Sequence, residues 1–228
     1  WDYMSIEYSN DYSEVVDDEE KIPGAKWFSD ARMNYAENLL RIRSEKPAIY
    51  FKNENNSDKV LSYKEIFDSV EKLSSALRKL EIKSGDRIAG FMPNIPETII
   101  AMLATSSIGA IWSSSSPDFG IKGVLDRFIQ IEPTILFAAD GYYYNGKKYD
   151  LTKKINEIAD QLPSLRKVVI IPYVDGDYDI SLISKGISWK DFVKEKPTPI
   201  IFDQLPFEHP LYIMYSSGTT GLPKSIVH

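Results

Sequence analysis

The sequence predicts an α/β fold, with helices layered on a mostly parallel sheet. Three observations carry this. Apolar runs of strand length alternate with amphipathic helical stretches along most of the chain, as strands bracketing crossover helices require. The 228 residues are 43% hydrophobic and 26% charged, enough to bury a sizeable core and unlike a disordered or fibrous chain. No internal repeat or low-complexity tract interrupts the alternation.

Residues 1–46 are aromatic and acidic with weak periodicity, and they read as an extended arm with a short helix near Asn34–Arg43. The run Asp17–Glu20 in this arm reads as a solvated face. Residues 47–228 form the α/β part. Ala48–Phe51 is expected as the first buried strand, with a polar turn at Asn53–Asp58. Ser62, three residues before Glu65, starts a helix with a capping box, and Ile66, Val70, Leu73, Leu77 and Leu80 form its apolar stripe. Lys83–Asp86 close this unit, and Arg87–Phe91 is the next strand. Asn94, Pro96 and Glu97 mark a helix start ahead of Ile99–Ile108, with proline in the first turn, where its missing N–H costs little.

The strand Ala110–Ser113 follows, then a loop over Ser114–Gly120. The pattern repeats with a helix near Lys122–Gln130, a strand Thr134–Ala138, a helix Leu151–Leu162 and a strand Lys167–Ile171, in an order that implies right-handed parallel crossovers. Residues 172–209 read as a surface excursion with a short helix near Trp189–Val193, and Leu211–Tyr215 as a short apolar strand.

Composition excludes several function classes. The formal charge of −6 argues against broad adhesion to nucleic acid or anionic membrane. With no cysteine there is no disulfide framework, no thiolate metal site and no cysteine nucleophile. Two histidines far apart in sequence suggest no metal cluster. The longest nearly uncharged apolar stretch, Thr98–Trp112, is too short to span a bilayer and reads as a buried helix running into a buried strand. The beginning at Trp1 and the acidic residues after it are unlike a targeting signal, so a cytoplasmic location is expected, as is a piece of something longer.

The chemistry concentrates in Tyr215-Ser216-Ser217-Gly218-Thr219-Thr220-Gly221-Leu222-Pro223-Lys224. Its glycines open backbone conformations in which N–H groups converge on an anion, its hydroxyls add donors, and Lys224 adds a point charge. The spacing differs from a Walker A loop, because Gly218 and Gly221 are three apart and Lys224 follows Pro223. In isolation such a run would read as a flexible linker. Between an apolar strand and the β-prone Ser225–Val227, and with its lysine, it reads as a phosphate cradle.

Ser216–Lys224 resembles the signature loop of the adenylate-forming enzymes. Residues 27–40 (WFSDARMNYAENLL), 109–120 (GAIWSSSSPDFG) and 124–128 (VLDRF) are similar to the acetoacetyl-CoA synthetase (acetoacetate-CoA ligase) family, and the likeness runs through nearly all of residues 25–228. Acetyl- and propionyl-CoA synthetases typically carry a Phe-Gly-Gly-Phe type run where this chain has Ser116-Pro117-Asp118-Phe119. The resemblance implies the N-terminal domain of the adenylate-forming fold, cut short here, with the small C-terminal domain absent. It implies ATP, Mg2+ and coenzyme A, and ligation of acetoacetate through an acyl-adenylate. Another short acid such as acetate or propionate keeps the same chemistry, and a non-catalytic nucleotide-phosphate binding module is the alternative of another class.

By the same resemblance Lys224 and Thr219 stabilise the leaving pyrophosphate, with Thr220 a further side-chain contact and Ser216, Ser217, Gly218 and Gly221 shaping the cradle. Around Tyr142–Lys148, Lys147 falls where relatives meet coenzyme A phosphates and Tyr144 where an arginine is expected; a solvated hairpin tip is the equal alternative. Ser113–Ser116 read either as lining the coenzyme A channel or as a structural loop, since no Gly-x-Ser-x-Gly elbow surrounds them. His209 reads as structural, and His228 lies where a residue in relatives approaches the acyl pocket. The adenine, ribose and Mg-associated elements and the C-terminal lysine of the family fall beyond residue 228, so the chain alone is expected to be inactive.

Overall fold

A computed structural model describes residues 1–21, 23–55, 57–174, 178–216 and 221–228. In the first part of the chain come β1 (Glu14–Val16), β2 (Trp27–Ser29), β3 (Arg32–Met33), α1 (Tyr35–Leu40), β4 (Pro47–Lys52), β5 (Asp58–Ser62) and α2 (Tyr63–Lys79). The central part holds β6 (Arg87–Phe91), α3 (Pro96–Ser107), β7 (Ile111–Ser115), α4 (Ile121–Ile131), β8 (Ile135–Ala139), β9 (Gly141–Tyr144), β10 (Lys147–Asp150), α5 (Thr152–Asp160) and β11 (Lys167–Ile171). A 3-10 turn (Ile180–Leu182), β12 (Gly186–Ser188), α6 (Trp189–Phe192), β13 (Leu205–Pro206), β14 (Tyr212–Ser216) and β15 (Lys224–Val227) complete it.

Seven strands form the main sheet in the order β12-β11-β8-β6-β7-β14-β15. Every neighbouring pair is parallel except β14–β15, which is antiparallel. The α/β, mostly parallel fold class expected from the alternation is therefore the observed one. Helices cover both faces, and the period-2 geometry of a strand explains how one strand serves two cores. Ile88, Ile135, Phe137, Val169 and Ile171 pack with α2 and α3 on one face. Ala89, Leu136, Ala138, Val168 and Ile170 pack with α4 and α5 on the other. Gly90 leaves room for an indole beside β6: a Cβ there would lie 2.6 Å from Trp112 Cζ2.

α2 begins as its sequence requires. Ser62 Oγ accepts from Glu65 N at 3.2 Å, and the Glu65 carboxylate accepts from Ser62 N at 2.8 Å. The bonds that the Glu65 carboxylate accepts from Ser62 N and from Ser62 Oγ hold its carboxyl below the ordinary value. Ile66, Val70, Leu73 and Leu77 are buried, while Leu80 is the C-cap. α3 starts with Pro96 and Glu97 in its first turn as expected, but Ile95 is its N-cap, without a side-chain cap bond, and Asn94 lies just outside. Near its buried end the Thr105, Ser106 and Ser107 hydroxyls donate to the carbonyls of Ala101, Met102 and Ala104, which reconciles three polar side chains with burial.

Three further expectations are corrected. Ala48–Phe51 does form a strand, but it pairs antiparallel with β5 in a separate two-stranded sheet and is only half-buried, so β6 is the first strand of the main sheet. Residues 172–209 are not merely an excursion, because β12 extends the main sheet in parallel beside β11. The helix expected over Asn34–Arg43 is shorter, ending at Leu40.

Asn34 ties the N-terminal residues to this body. It is fully buried, its Oδ1 accepts from Glu37 N at 3.2 Å as the cap of α1, and its Nδ2 donates to the carbonyls of Ser106, Ser107 and Asp203 at 3.1, 3.2 and 2.9 Å. Phe28 adds an aromatic contact to Phe207, with ring centroids 4.8 Å apart.

Candidate functional site

β14 enters the sheet beside β7, so its carboxyl end lies level with that of β7. There the chain turns and returns as β15, with Ser216 paired to Lys224 and Tyr215 to Ser225. Ser216 and Lys224, which flank the Gly/Ser/Thr-rich run, thus stand at the carboxyl edge of a parallel sheet, the edge at which such sheets bind ligands. Of the loop residues expected to hold phosphates, Ser217, Gly218, Thr219 and Thr220 lie outside the described residues. Ser216 is half-buried at the end of β14, and Lys224 is exposed directly opposite it. Gly221 has φ +96°, a conformation that side-chain-bearing residues rarely adopt, and its Cβ position faces open space.

Beneath the loop, Ser113 Oγ donates to Ile213 O and to Tyr215 Oη, each at 3.0 Å, and the Tyr215 hydroxyl donates to Arg127 O at 3.4 Å. Burial pushes the Tyr215 phenol up, against the opposing pull of the Ser113 bond and the Arg127 charge. The Arg127 guanidinium carbon lies 4.4 Å from the Phe119 ring centre and 5.6 Å from that of Tyr215, a sandwich in which the cation is held by ring faces. Three residues on, Gln130 Nε2 donates to Pro223 O at 2.9 Å, and its Oε1 accepts from Ser225 Oγ at 3.2 Å. Both stems of the loop therefore rest on α4.

A cavity of roughly 390 Å3 opens beside this assembly, lined among others by Trp112, Ser114, Ser115, Ser116, Phe119, Arg127 and Tyr215. The serine run divides by role. Ser113 is committed to β14, whereas the Ser115 hydroxyl is buried, lines the cavity and meets no partner among the described residues. Ser114, Ser115 and Ser116 thus line this cavity, while Ser113 bonds within the sheet.

Lys147 stands apart, on the β9–β10 hairpin. Asn145 and Gly146 form its tip, both with positive φ as a two-residue Asn-Gly turn requires, and Lys147 follows as the exposed first residue of β10, opposite Tyr144. The tip N–H groups of Asn145 and Gly146 donate to the Glu54 carboxylate at 3.2 and 2.8 Å. His209 Nε2 pairs with Gly109 O at 2.8 Å, in keeping with a structural role. His228 lies beside Tyr212, with ring centroids 5.2 Å apart and the rings tilted by 33°, and lines a cavity of roughly 290 Å3 at the opposite end of the β14–β15 hairpin from Ser216 and Lys224. Among the described residues no group of three or more His, Asp or Glu side chains converges to hold a metal, and no helix is long and apolar enough to cross a membrane.

Sequence reasoning gave no role to Arg127, Gln130 or Tyr215. Arg127 lay within the stretch Val124–Phe128 that resembles relatives, but nothing local marks Gln130 as a partner of residues 93 and 95 positions away.

A family profile described as AMP-binding enzyme matches residues 37–228. The chain is similar to acetoacetyl-CoA synthetase of Xenopus tropicalis, 46% identical over 239 residues covering all of this chain and 35% of that protein. It is likewise similar to acetoacetyl-coenzyme A synthetase of Rhizobium meliloti (strain 1021), 44% identical over 230 residues, again all of this chain and 35% of that protein. The solved structure of acetoacetyl-CoA synthetase from Streptomyces lividans superposes with a TM-score of 0.92 at 39% identity, covering 99% of this chain and 34% of the other. The chain spans about a third of the length of the curated relatives it matches.

Proposed function

Because the chain belongs to the AMP-binding enzyme family, we propose that it forms the phosphate-binding part of an acid–thiol ligase that joins acetoacetate to coenzyme A. The observation that carries the reading is the hydroxyl- and glycine-rich loop closed by Ser216 and Lys224 at the carboxyl edge of the parallel sheet. In the first step a carboxylate oxygen of acetoacetate attacks the α-phosphorus of ATP; the α–β phosphoanhydride bond breaks and pyrophosphate leaves. In the second the sulfur of coenzyme A attacks the acyl carbon, the thiol proton is lost and AMP departs.

The loop acts on the first step. Negative charge grows on the departing pyrophosphate, and donors already aimed at it stabilise the transition state without reorganisation. Lys224 and Thr219 carry this role, Thr220 adds a contact, and Ser216, Ser217, Gly218 and Gly221 give the cradle its shape. Lys147 meets a phosphate of coenzyme A. Mg2+ enters as the counter-ion that ATP brings, and no step is assigned to it on residues of this chain. Residues 1–46 serve as the arm and 47–228 as part of the large AMP-binding domain, working with a small C-terminal domain outside this chain, in the cytoplasm.

The test is acid-dependent ATP–pyrophosphate exchange by the full-length protein with acetoacetate, acetate and propionate. Acetoacetate is expected to be preferred, and Lys224→Ala to slow exchange by roughly 10- to 1000-fold. Preference for acetate or propionate would overturn the substrate and keep the chemistry. Exchange with no acid would overturn the ligase reading.

A further inference from the structure

Lys224 sits on β15, which among the described residues pairs on one side only, with β14. An edge strand of four residues beside a glycine-containing turn has little to fix its position, because half of its backbone groups face away from the ladder. Yet a cation that stabilises a leaving group must be held close to its working position, since a displacement of about 1 Å can cost roughly 100-fold in rate.

Gln130 supplies the missing constraint. Its Nε2 donates one hydrogen to Pro223 O at 2.9 Å and the other to Asp126 O of its own helix at 2.5 Å, while its Oε1 accepts from Ser225 Oγ at 3.2 Å. Pro223 and Ser225 are the residues on either side of Lys224. The bond to Asp126 fixes the amide on α4, and the other two carry that position to the backbone before the lysine and the side chain after it. Holding a carbonyl and a hydroxyl donor at once takes a group that both donates and accepts, which a carboxylate or an alkyl chain of the same length does not. One helical turn earlier the Arg127 carbonyl accepts from Tyr215 on the opposite stem, so α4 holds both sides of the hairpin.

We propose that Gln130 is the positioning residue for Lys224, registering the edge strand against α4 so that the ammonium is presented to phosphate during adenylation. The inference rests on reading the loop as the phosphate cradle. Gln130 and Ser225 are both exposed, so these bonds add little to global stability and their effect is one of placement.

A double-mutant cycle on ATP–pyrophosphate exchange by the full-length protein tests it. Gln130→Leu removes the amide and keeps the bulk; it is expected to lower kcat by roughly 10- to 100-fold, leaving the KM for the acid unchanged. Gln130→Glu keeps the acceptor for Ser225 but loses both donations, and a smaller loss is expected. In a Lys224→Ala background neither substitution should slow exchange further, because there is no cation left to position. Unchanged kcat in Gln130→Leu, or an equal fold-loss with and without Lys224, overturns the inference while leaving the phosphate reading intact. If Lys224→Ala itself has no effect, both fail together.

Discussion

Removing Asn34 should be among the most damaging single changes at a position that touches no ligand. Asn34→Ala deletes the side-chain cap of α1, which costs about 1 kcal/mol at typical N-caps. It also deletes an amide whose two hydrogens serve three carbonyls. The Ser106 and Ser107 carbonyls keep other partners, Gly109 N and Asp203 N among them, so their loss is that of an additional bond, about 1 kcal/mol together. The Asp203 carbonyl loses its partner in a part-buried setting, for a further ~1–3 kcal/mol. The sum is about 3–5 kcal/mol, or a fall in Tm of roughly 6–20 °C for a chain of this size. Urea and thermal unfolding of the 228-residue chain followed by circular dichroism would measure it. Asn34→Asp sharpens the test: it keeps the shape and the cap acceptor but turns an acceptor toward three carbonyls, so it should cost no less than alanine. A loss below about 1 kcal/mol in Asn34→Ala, or an aspartate better tolerated than alanine, would refute the claim that the donated bonds carry the effect.

Tyr215 gives a pH signature. Burial raises its pKa in the folded chain, so its contribution to stability is complete below the unfolded value of about 10 and is lost as pH rises through the folded one. Tm should therefore fall between pH 9 and 11, and less steeply in Tyr215→Phe; burial raises Tyr142, Tyr173 and Tyr178 as well, so some slope remains. An identical slope in the variant would remove Tyr215 from the account. Lys147→Ala should raise the KM for coenzyme A several-fold in the complete reaction and leave ATP–pyrophosphate exchange unchanged, since coenzyme A takes no part in the first step; a variant that loses exchange instead places Lys147 elsewhere in the mechanism.

The elements most legible in the sequence are those whose signals are local. The Ser62–Glu65 box and the stripe Ile66–Val70–Leu73–Leu77 lie within one stretch of chain, and the helix followed. Pro96 marked the start of α3 because its ring restricts its own φ, whereas Asn94 offered a cap that the backbone at Ile95 took without it. Partner choice was less legible. Ala48–Phe51 and the strands of the main sheet share the same apolar, β-prone character; only the hairpin with β5 separates them, and the polar residues of β5 concealed that strand. β12 is three half-buried residues inside a stretch rich in charge and proline, too short for alternation to register. At the site, the loop's chemistry is written in consecutive residues, so a phosphate cradle could be expected from sequence alone. Gln130 was not legible, since a glutamine near a helix end looks the same whether its amide faces water or holds a strand 93 residues further on.

The bond from Asn34 to Asp203 spans 169 residues of chain. During synthesis at about 5–20 residues per second, roughly 8–34 s separate the appearance of the two ends. Through that interval Asn34 has no Asp203 carbonyl to bind, while α2, α3 and the strands between them are already being made. The residues around Asn34 are thus made well before the segment that completes their contacts. Their final seating reports that the segment leading into β14 has arrived.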